Sequence, residues 1–586
     1  MIPGLIDQET SEFLRVDVPQ GLTWGLPAHR VVEALMAGKN INITNAVITG
    51  PFVLGPLTVT GAVTIEHTTF ADTFDCSYST FTRVLRLRGS TFARAVSFRE
   101  ARSEQPIVLR ECNFKEGATF TGAQINGSLT LREAVFEGEV SFNRTVVRGS
   151  AYFNYATFRR EANFVNLQVT GDAEFTQVTF LNQVRFSRPR VNGLADFDRL
   201  ICVEGAEFTG CQFLGGATFQ GATIGGKANF NGISVGHLLI FNIAIFRGDA
   251  SFVSAEISGN AQFPGVRFCG TANFNGSRVT GRLFLNKSVF VGDAYFIGAH
   301  YVDAEYQGAE FRQDAYFHGT RFDGPVYFNP VRFDGLTVLA ATRVLGPMYL
   351  ERALFGGHVS FEDAEFRVLD FGQPEEPNYE QTAEFRATID LRGCTYSRIH
   401  PTSFWRTLVR CAKPYDRQVY VQLEDTFRRS GEDGLADSVY FMRRASERAR
   451  RGWLSLFRWW DVFLGLATGY GLRLYRVAFA VAIILAAGTL FFVHEGTVIG
   501  ISTGDTPNVA APEEQLRQEM LGVWEAFWVS VDLFLPVDVP GAGRWHPSTS
   551  VVWGLTPTTF ARLLTVAGWF LVPLSIAGVT GLLKRR

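Results

Sequence analysis

From Leu109 the chain can be read in steps of eleven, and every step lands on Phe or Leu as far as Phe296: Phe120, Leu131, Phe142, Phe153, Phe164, Phe175 and onward through Phe274 and Leu285. Neither a helix, with its period near 3.6, nor a long strand, with its period of 2, yields that spacing. A second column follows five residues behind. It runs Phe114, Ile125, Phe136, Val147, Phe158, Val169, Phe180, Val191, Cys202, Phe213, Ile224 and on to Phe290. Large and β-branched residues alternate through most of it, so the full period is 22. The residue two before a column position is usually small, as in Ala173 before Phe175, Ala217 before Phe219 and Ala261 before Phe263. In extended chain those two face the same way, and the polar residue between them faces out. Gly127, Gly149, Gly171, Gly193, Gly215, Gly259 and Gly281 stand four before the column. Their expected role is a corner with unusual dihedrals.

Short extended segments of 5, 6, 5 and 6 residues thus close one coil of 22, a β-solenoid of roughly square section with a stacked Phe core. The pattern runs from about Ile43 to Phe366, which predicts about 15 coils and a rod of about 70 Å at the ~4.8 Å strand spacing. One residue is dropped among Tyr301, Tyr306 and Phe311, where a kink or tighter coil is expected. Phe213 is large where its column prefers Val or Ile, while Cys202 and Ile224 on either side are small. That pattern predicts volume exchange across the core. The repeat resembles the pentapeptide-repeat proteins, whose A-x-F/L-x-x unit implies a right-handed quadrilateral β-helix. It departs from them in having eleven rather than ten residues per half coil.

Solenoid ends need covers because they are open strand edges. Residues 1–40 contain a helical cap, with Val31, Val32, Leu35 and Met36 on one face and Gly38 closing it. Residues 41–400 form the solenoid, with a loop insertion at 371–381 and an irregular last coil at 383–399. Residues 401–472 turn helical. Val419, Leu423 and Phe427 line one face of a hairpin and Leu435, Val439 and Met442 the other. An Arg- and Trp-rich segment follows: residues 443–476 carry eight Arg against two acids. Arg450, Arg451, Arg458, Trp459, Trp460, Arg473 and Arg476 fit an anionic membrane interface. Residues 473–586 form a membrane domain with spans at about 474–494 and 560–583. The intervening 494–558 loop holds eight acids and two Arg, so the positive-inside rule places both chain ends in the cytoplasm of a bacterial inner membrane. The N-terminus has no basic start or apolar run of a secretory signal.

Between the spans, "GVWEAFWVSVDLFLPVDVPGAG" (522–543) is a short apolar helix ending at Pro536. It is either an amphipathic helix on the outer leaflet or a re-entrant helix of a two-helix pore. In the second case Asp532 and Asp538 are candidate pore-lining carboxylates in a homo-oligomer. The "TGYG" at Thr468–Gly471 lies before the first span and is no selectivity filter. "GYGLR", "FWVSVDLFLPVDV" and "AGWFLVPLSIAGVTGLLKRR" resemble bacterial membrane proteins that join eleven-residue solenoid repeats to two terminal spans. Members are sometimes labelled membrane-associated oxidoreductases.

No residues in the chain support redox chemistry: no GxGxxG turn, P-loop, HExxH or CxxC occurs, and the nine His are scattered. His494 and His546 flank the spans in isolation. The seven Cys are read as reduced thiols, with Cys76 and Cys202 in core columns. Some pentapeptide-repeat proteins imitate DNA, which demands a strongly acidic face. Residues 1–400 hold 41 acids and 35 bases, a net of −6, and no nucleic-acid partner is expected. No catalytic, cofactor-binding or metal-binding residue is assigned. The expected function is a membrane-anchored, non-enzymatic scaffold or sensor that meets the lipid bilayer and a cytoplasmic protein. A gated oligomeric channel is the alternative and an oxidoreductase the third reading.

Overall fold

The computed structural model describes residues 4–579 except 373–381, 451, 453–454, 456, 459–460, 463–474, 501–520, 536–544, 550 and 553. Two compact units divide the chain, Met1–Glu432 and Asp433–Arg586.

The first unit is a β-solenoid in which each strand pairs in parallel with the strand 22 residues later. Phe92 lies beside Phe114, and Phe114 beside Phe136. One side of the coil is a sheet of 16 strands, so the rod has about 16 turns. At ~4.8 Å per coil it rises about 75 Å. The columns read from the sequence are the core. Phe120, Phe142, Phe164, Phe186 and Phe208 stack on one wall with ring centroids 4.5–5.0 Å apart. Phe153, Phe175, Phe197 and Phe219 stack on the facing wall at 4.6–5.0 Å. Rings from the two walls meet edge to face, as Phe164 and Phe175 do at 5.4 Å and 87°. Offset stacking along a wall and edge contacts across it are both favoured by the ring quadrupole.

The corners correct the sequence reading of the glycines. None of the seven in that column has a positive φ. They are required because the next coil is too close. A Cβ on Gly259 would stand 1.8 Å from the carbonyl oxygen of His237, and one on Gly215 would stand 2.5 Å from the backbone of Gly193. The left-handed residue lies elsewhere, two positions after each Phe/Leu column residue. It recurs every eleven residues through Glu100, Glu111, Gly122, Glu133, Arg144, Tyr155, Asn166, Gln177, Arg188 and Arg199 to Gly210. There the chain makes a four-residue turn, with Ala123 N–H donating to the Phe120 carbonyl at 2.9 Å. A positive φ at the third residue belongs to the type II turn.

The dropped residue makes a tighter coil. Val279 pairs with Tyr301, but Arg282 pairs with Asp303, so the register slips by one. Strands Arg278–Phe284 and His300–Glu305 are continuous across the corner position, as Arg343–Tyr349 and Glu365–Asp370 are further along the rod. The Tyr301 hydroxyl is buried there and shares a hydrogen bond with Ser277 Oγ at 2.7 Å. Cys202, Phe213 and Ile224 are each 1% exposed. Cys202 and Ile224 are strand neighbours on one wall, and Phe213, on another, reaches Phe197 at 6.0 Å. That arrangement agrees with exchange of volume across the core.

Both ends are covered. Strand β1 (Ile6–Glu9) pairs antiparallel with β2 (Phe13–Asp17), which pairs with Asn40–Thr44 of the first coil. Helix α1 (Ala28–Met36) buries Val31, Val32 and Leu35. Met36, expected on that face, is 60% exposed, and Ala28 and Ala34 are buried instead. Its last-turn position carries it past the edge of the core. Gly38 has φ +72° and donates to Leu35 O at 3.0 Å, ending the helix. The outermost strand is blunted by charge, since Arg30 bonds Asp7 and Glu9 and Lys39 bonds Glu9 at 2.8–3.2 Å. At the far end, Phe404 stacks on Phe371 at 4.3 Å and α2 (Trp405–Cys411) buries Trp405. Helix α3 (Arg417–Arg429) buries Val419, Leu423 and Phe427. Its Gln422 side chain donates to the Tyr396 carbonyl of the last coil at 3.2 Å.

Candidate functional site

The second unit begins with α4 (Asp433–Arg450). Its centre is three helices: α5 (Tyr475–Phe492), α6 (Val523–Phe534) and α7 (Pro557–Val579). Among the described residues one helix, α5, is long and apolar enough to cross a membrane, with a mean hydropathy of 2.0. The second expected span is helical over Pro557–Val579 and contains Arg562 and Pro573.

These helices share a core of Phe491, Phe492, Leu521, Ala526, Val529, Phe534, Ala561 and Leu564. Two glycines let α6 approach closely. A Cβ on Gly488 of α5 would meet Ser530 Oγ at 2.9 Å, and one on Gly568 of α7 would fall 1.6 Å from the Phe534 carbonyl oxygen. Close contact through small residues is how helices pack where burial from water supplies no drive. Thr565 Oγ1 donates to the Leu533 carbonyl at 2.9 Å and so satisfies part of the C-terminal end of α6. Thr565 and Gly568 are the ninth and twelfth residues of α7. At a rise of 1.5 Å per residue, the last turn of α6 therefore reaches about 12–17 Å along α7. The opposite faces are apolar and open. Phe479, Ile483 and Leu490 on α5 are 53–69% exposed, and Leu563, Val566, Trp569, Phe570 and Ile576 on α7 are 55–67% exposed.

Asp532 lies on the last turn of α6 and is half-buried. Asp538 falls outside the described residues, as do Arg451, Trp459, Trp460 and Arg473. Arg450 is exposed at the end of α4, while Arg458 and Arg476 are half-buried. Arg444 pairs with Asp461 at 3.8 Å. Among the described residues no three His, Cys, Asp or Glu gather as metal ligands.

On the solenoid, the outer surface is built of ladders between coils. Arg88–Glu111, Arg110–Glu133, Arg94–Glu116 and Lys115–Glu137 are ion pairs of 2.5–3.3 Å between successive turns. Arg132 reaches two coils to Glu174 at 3.0 Å across the ring of Tyr152. An apolar island interrupts these ladders, where Leu181, Ile201 and Val203 on adjacent coils are 42–54% exposed. The sequence columns track the inward residues, so they did not single out this outward patch. Burial pushes the Cys112 thiol up to about 12 and the Cys76, Cys202, Cys211 and Cys394 thiols well above their ordinary range. All seven cysteines are free.

No curated protein and no solved structure matches the chain. A family model described as pentapeptide repeats (9 copies) matches residues 87–135, 131–179 and 153–201. Those segments lie within the stacked coils and carry the Phe columns. Residues 87–201 of the solenoid are thus similar to pentapeptide repeats.

Proposed function

We propose that the chain is a membrane-tethered, non-enzymatic scaffold whose solenoid binds a protein partner on the cytoplasmic side of a bacterial inner membrane. The observation that carries the tether is the outward apolar surface of α5 and α7, where side chains as large as Trp569 and Phe570 are more than half exposed. In water such a surface drives association, whereas in a bilayer it is the ordinary lipid face. The binding role rests on the rod. Its interior is filled with side chains, its coils are locked to each other, and its outer faces offer regular ladders and an apolar island. Rigid repeat surfaces of that kind bind at little cost in ordering. Single spin labels at Phe479 and Phe570 in liposomes test the tether. Quenching by oxygen but not by a water-soluble nickel chelate is expected, and the reverse pattern contradicts it.

A pore is the second reading, and one observation favours it. In a bilayer, the end of α6 would stand near half depth, with its carbonyl end directed inward and Asp532 on its last turn. A helix C-terminus and a carboxylate both favour a cation there. Cation flux through liposomes that changes selectivity in Asp532→Asn supports the pore. Absence of flux from inserted protein leaves the helices as an anchor.

A further inference from the structure

The rod is flat-sided along most of its length, but where the last coils meet α3 it has a groove of about 440 Å³. Its floor is three neighbouring strands, Arg343–Tyr349, Glu365–Asp370 and Thr395–His400. Their register places Arg343, Glu365 and Thr395 side by side in one outward row. In the next outward row, the pairs Phe366–Tyr396 and Val368–Arg398 bracket Arg367 and Ser397, which makes those two neighbours. Leu345 precedes them on the same side and is 42% exposed. Gln422 and Arg429 of α3 form the wall.

The charges in this groove are unequally engaged. Glu365 accepts from Arg343, with Nη2 to Oε1 at 2.8 Å and Nε to Oε2 at 2.7 Å. Arg429 pairs with Asp425 at 2.5 Å. Arg367 forms no ion pair among the described residues, and the hydroxyls of Thr395 and Ser397 make no hydrogen bond there. A guanidinium with its donors unspent, next to a free hydroxyl and inside a concavity, is the pattern that recognises an oxyanion bidentately. The two flanking ion pairs, Arg343–Glu365 and Arg429–Asp425, each sum to no net charge, so the uncompensated positive charge lining the groove is that of Arg367.

We infer that this groove is a binding site for an oxyanion, a carboxylate or a phosphate. Arg367 is the anchor, Ser397 the supporting donor, and Leu345 the surface for an adjoining apolar group. Among the described residues Glu365 is the one carboxylate lining the groove, and it opposes the ligand. The site belongs to the first unit alone and does not depend on the membrane reading.

The test is calorimetric titration of the full-length chain in detergent at constant ionic strength, with citrate as the carboxylate probe and inorganic pyrophosphate as the phosphate probe. Binding of at least one probe is expected. Arg367→Gln should weaken it about tenfold or more, the loss of one charge-assisted bidentate contact. Glu365→Gln should tighten it by removing the competing carboxylate. The probe that binds more tightly identifies the class of anion. Both variants change outward side chains, so unfolding temperatures near wild type would show that the effect is local. Failure of both probes to bind at millimolar concentration, or equal binding by Arg367→Gln, overturns the assignment.

Discussion

Phe164 is fully buried, stacked between Phe142 and Phe186, while Phe570 on α7 is 55% exposed. The same side chain is used in opposite ways by the two units. In the solenoid the apolar residues face a closed core and the polar ones face out. In the helical unit, small residues such as Gly488, Gly568 and Ser530 make the closest approaches beside a core of Phe491, Phe492 and Phe534, and further large apolar residues face outward. Burial of apolar area describes the first unit, whereas the second leaves large apolar side chains on its outside, the surface on which the proposed tether rests.

The largest effect should come from cutting into the Phe stack. Phe164→Ala is expected to cost about 3–5 kcal/mol, from lost burial and the cavity left behind. Phe570→Ala should change stability in detergent by no more than about 0.5 kcal/mol. Equal losses in thermal or denaturant unfolding would break the comparison. Gly259→Ala comes next. Its methyl meets the His237 carbonyl and forces the coils apart, for about 3 kcal/mol. Gly232→Ala meets no atom within 4 Å and has only its φ of +63° against it, for about 1 kcal/mol. If the two cost the same, the two kinds of corner are not distinct.

Phe213→Val should cost about 2 kcal/mol. Adding Cys202→Phe should return part of that loss, because the ring is supplied from the facing wall. A Phe213→Val variant as stable as wild type argues against volume exchange. Thiol labelling at neutral pH separates packed from accessible sites without altering the fold. Cys269 and Cys411, only partly buried, should react first, while Cys76, Cys112, Cys202, Cys211 and Cys394 react only on unfolding. Early labelling of Cys112, measured by peptide mass, would show a looser core.

The smallest effect is at the N-terminal edge. Hydrogen bonds from Lys39 and then Arg30 hold the Glu9 carboxyl below its ordinary range. A lowered folded value stabilises above the unfolded value, and that stability is lost as pH falls through the folded one. Hydrogen exchange in Ile6–Glu9 should therefore quicken below about pH 4, and Glu9→Gln should flatten that dependence.

Much of the rod was legible because each core position is used about 16 times, so chance substitutions average out along a column. The residues Leu109 to Phe296 announce both the coil and its filling. What the glycines do was not legible. A glycine column looks the same whether it supplies a positive φ or makes room, and only the position of the neighbouring coil separates the two. The true left-handed column mixes Gly122, Gly210, Gly232 and other glycines with Glu, Arg, Tyr, Asn and Gln, the side-chain-bearing residues held there by hydrogen bonds to the next coil at a cost of about 1 kcal/mol each. So mixed a column carries only a diluted glycine signature. The groove at Arg367 was hidden for a related reason, since it is made by α3 meeting three strands that no sequence interval joins. Asp532 was singled out by its place in an apolar segment, but its setting depends on Gly568 and Thr565 more than thirty residues away.

The tether is the claim on which the functional account turns, and alkaline carbonate extraction of membranes expressing the chain tests it most directly. The account predicts that the full-length protein stays in the membrane pellet while a chain ending at Glu432 is released to the supernatant. Release of the full-length protein would contradict it and make the exposed apolar faces of α5 and α7 a protein interface.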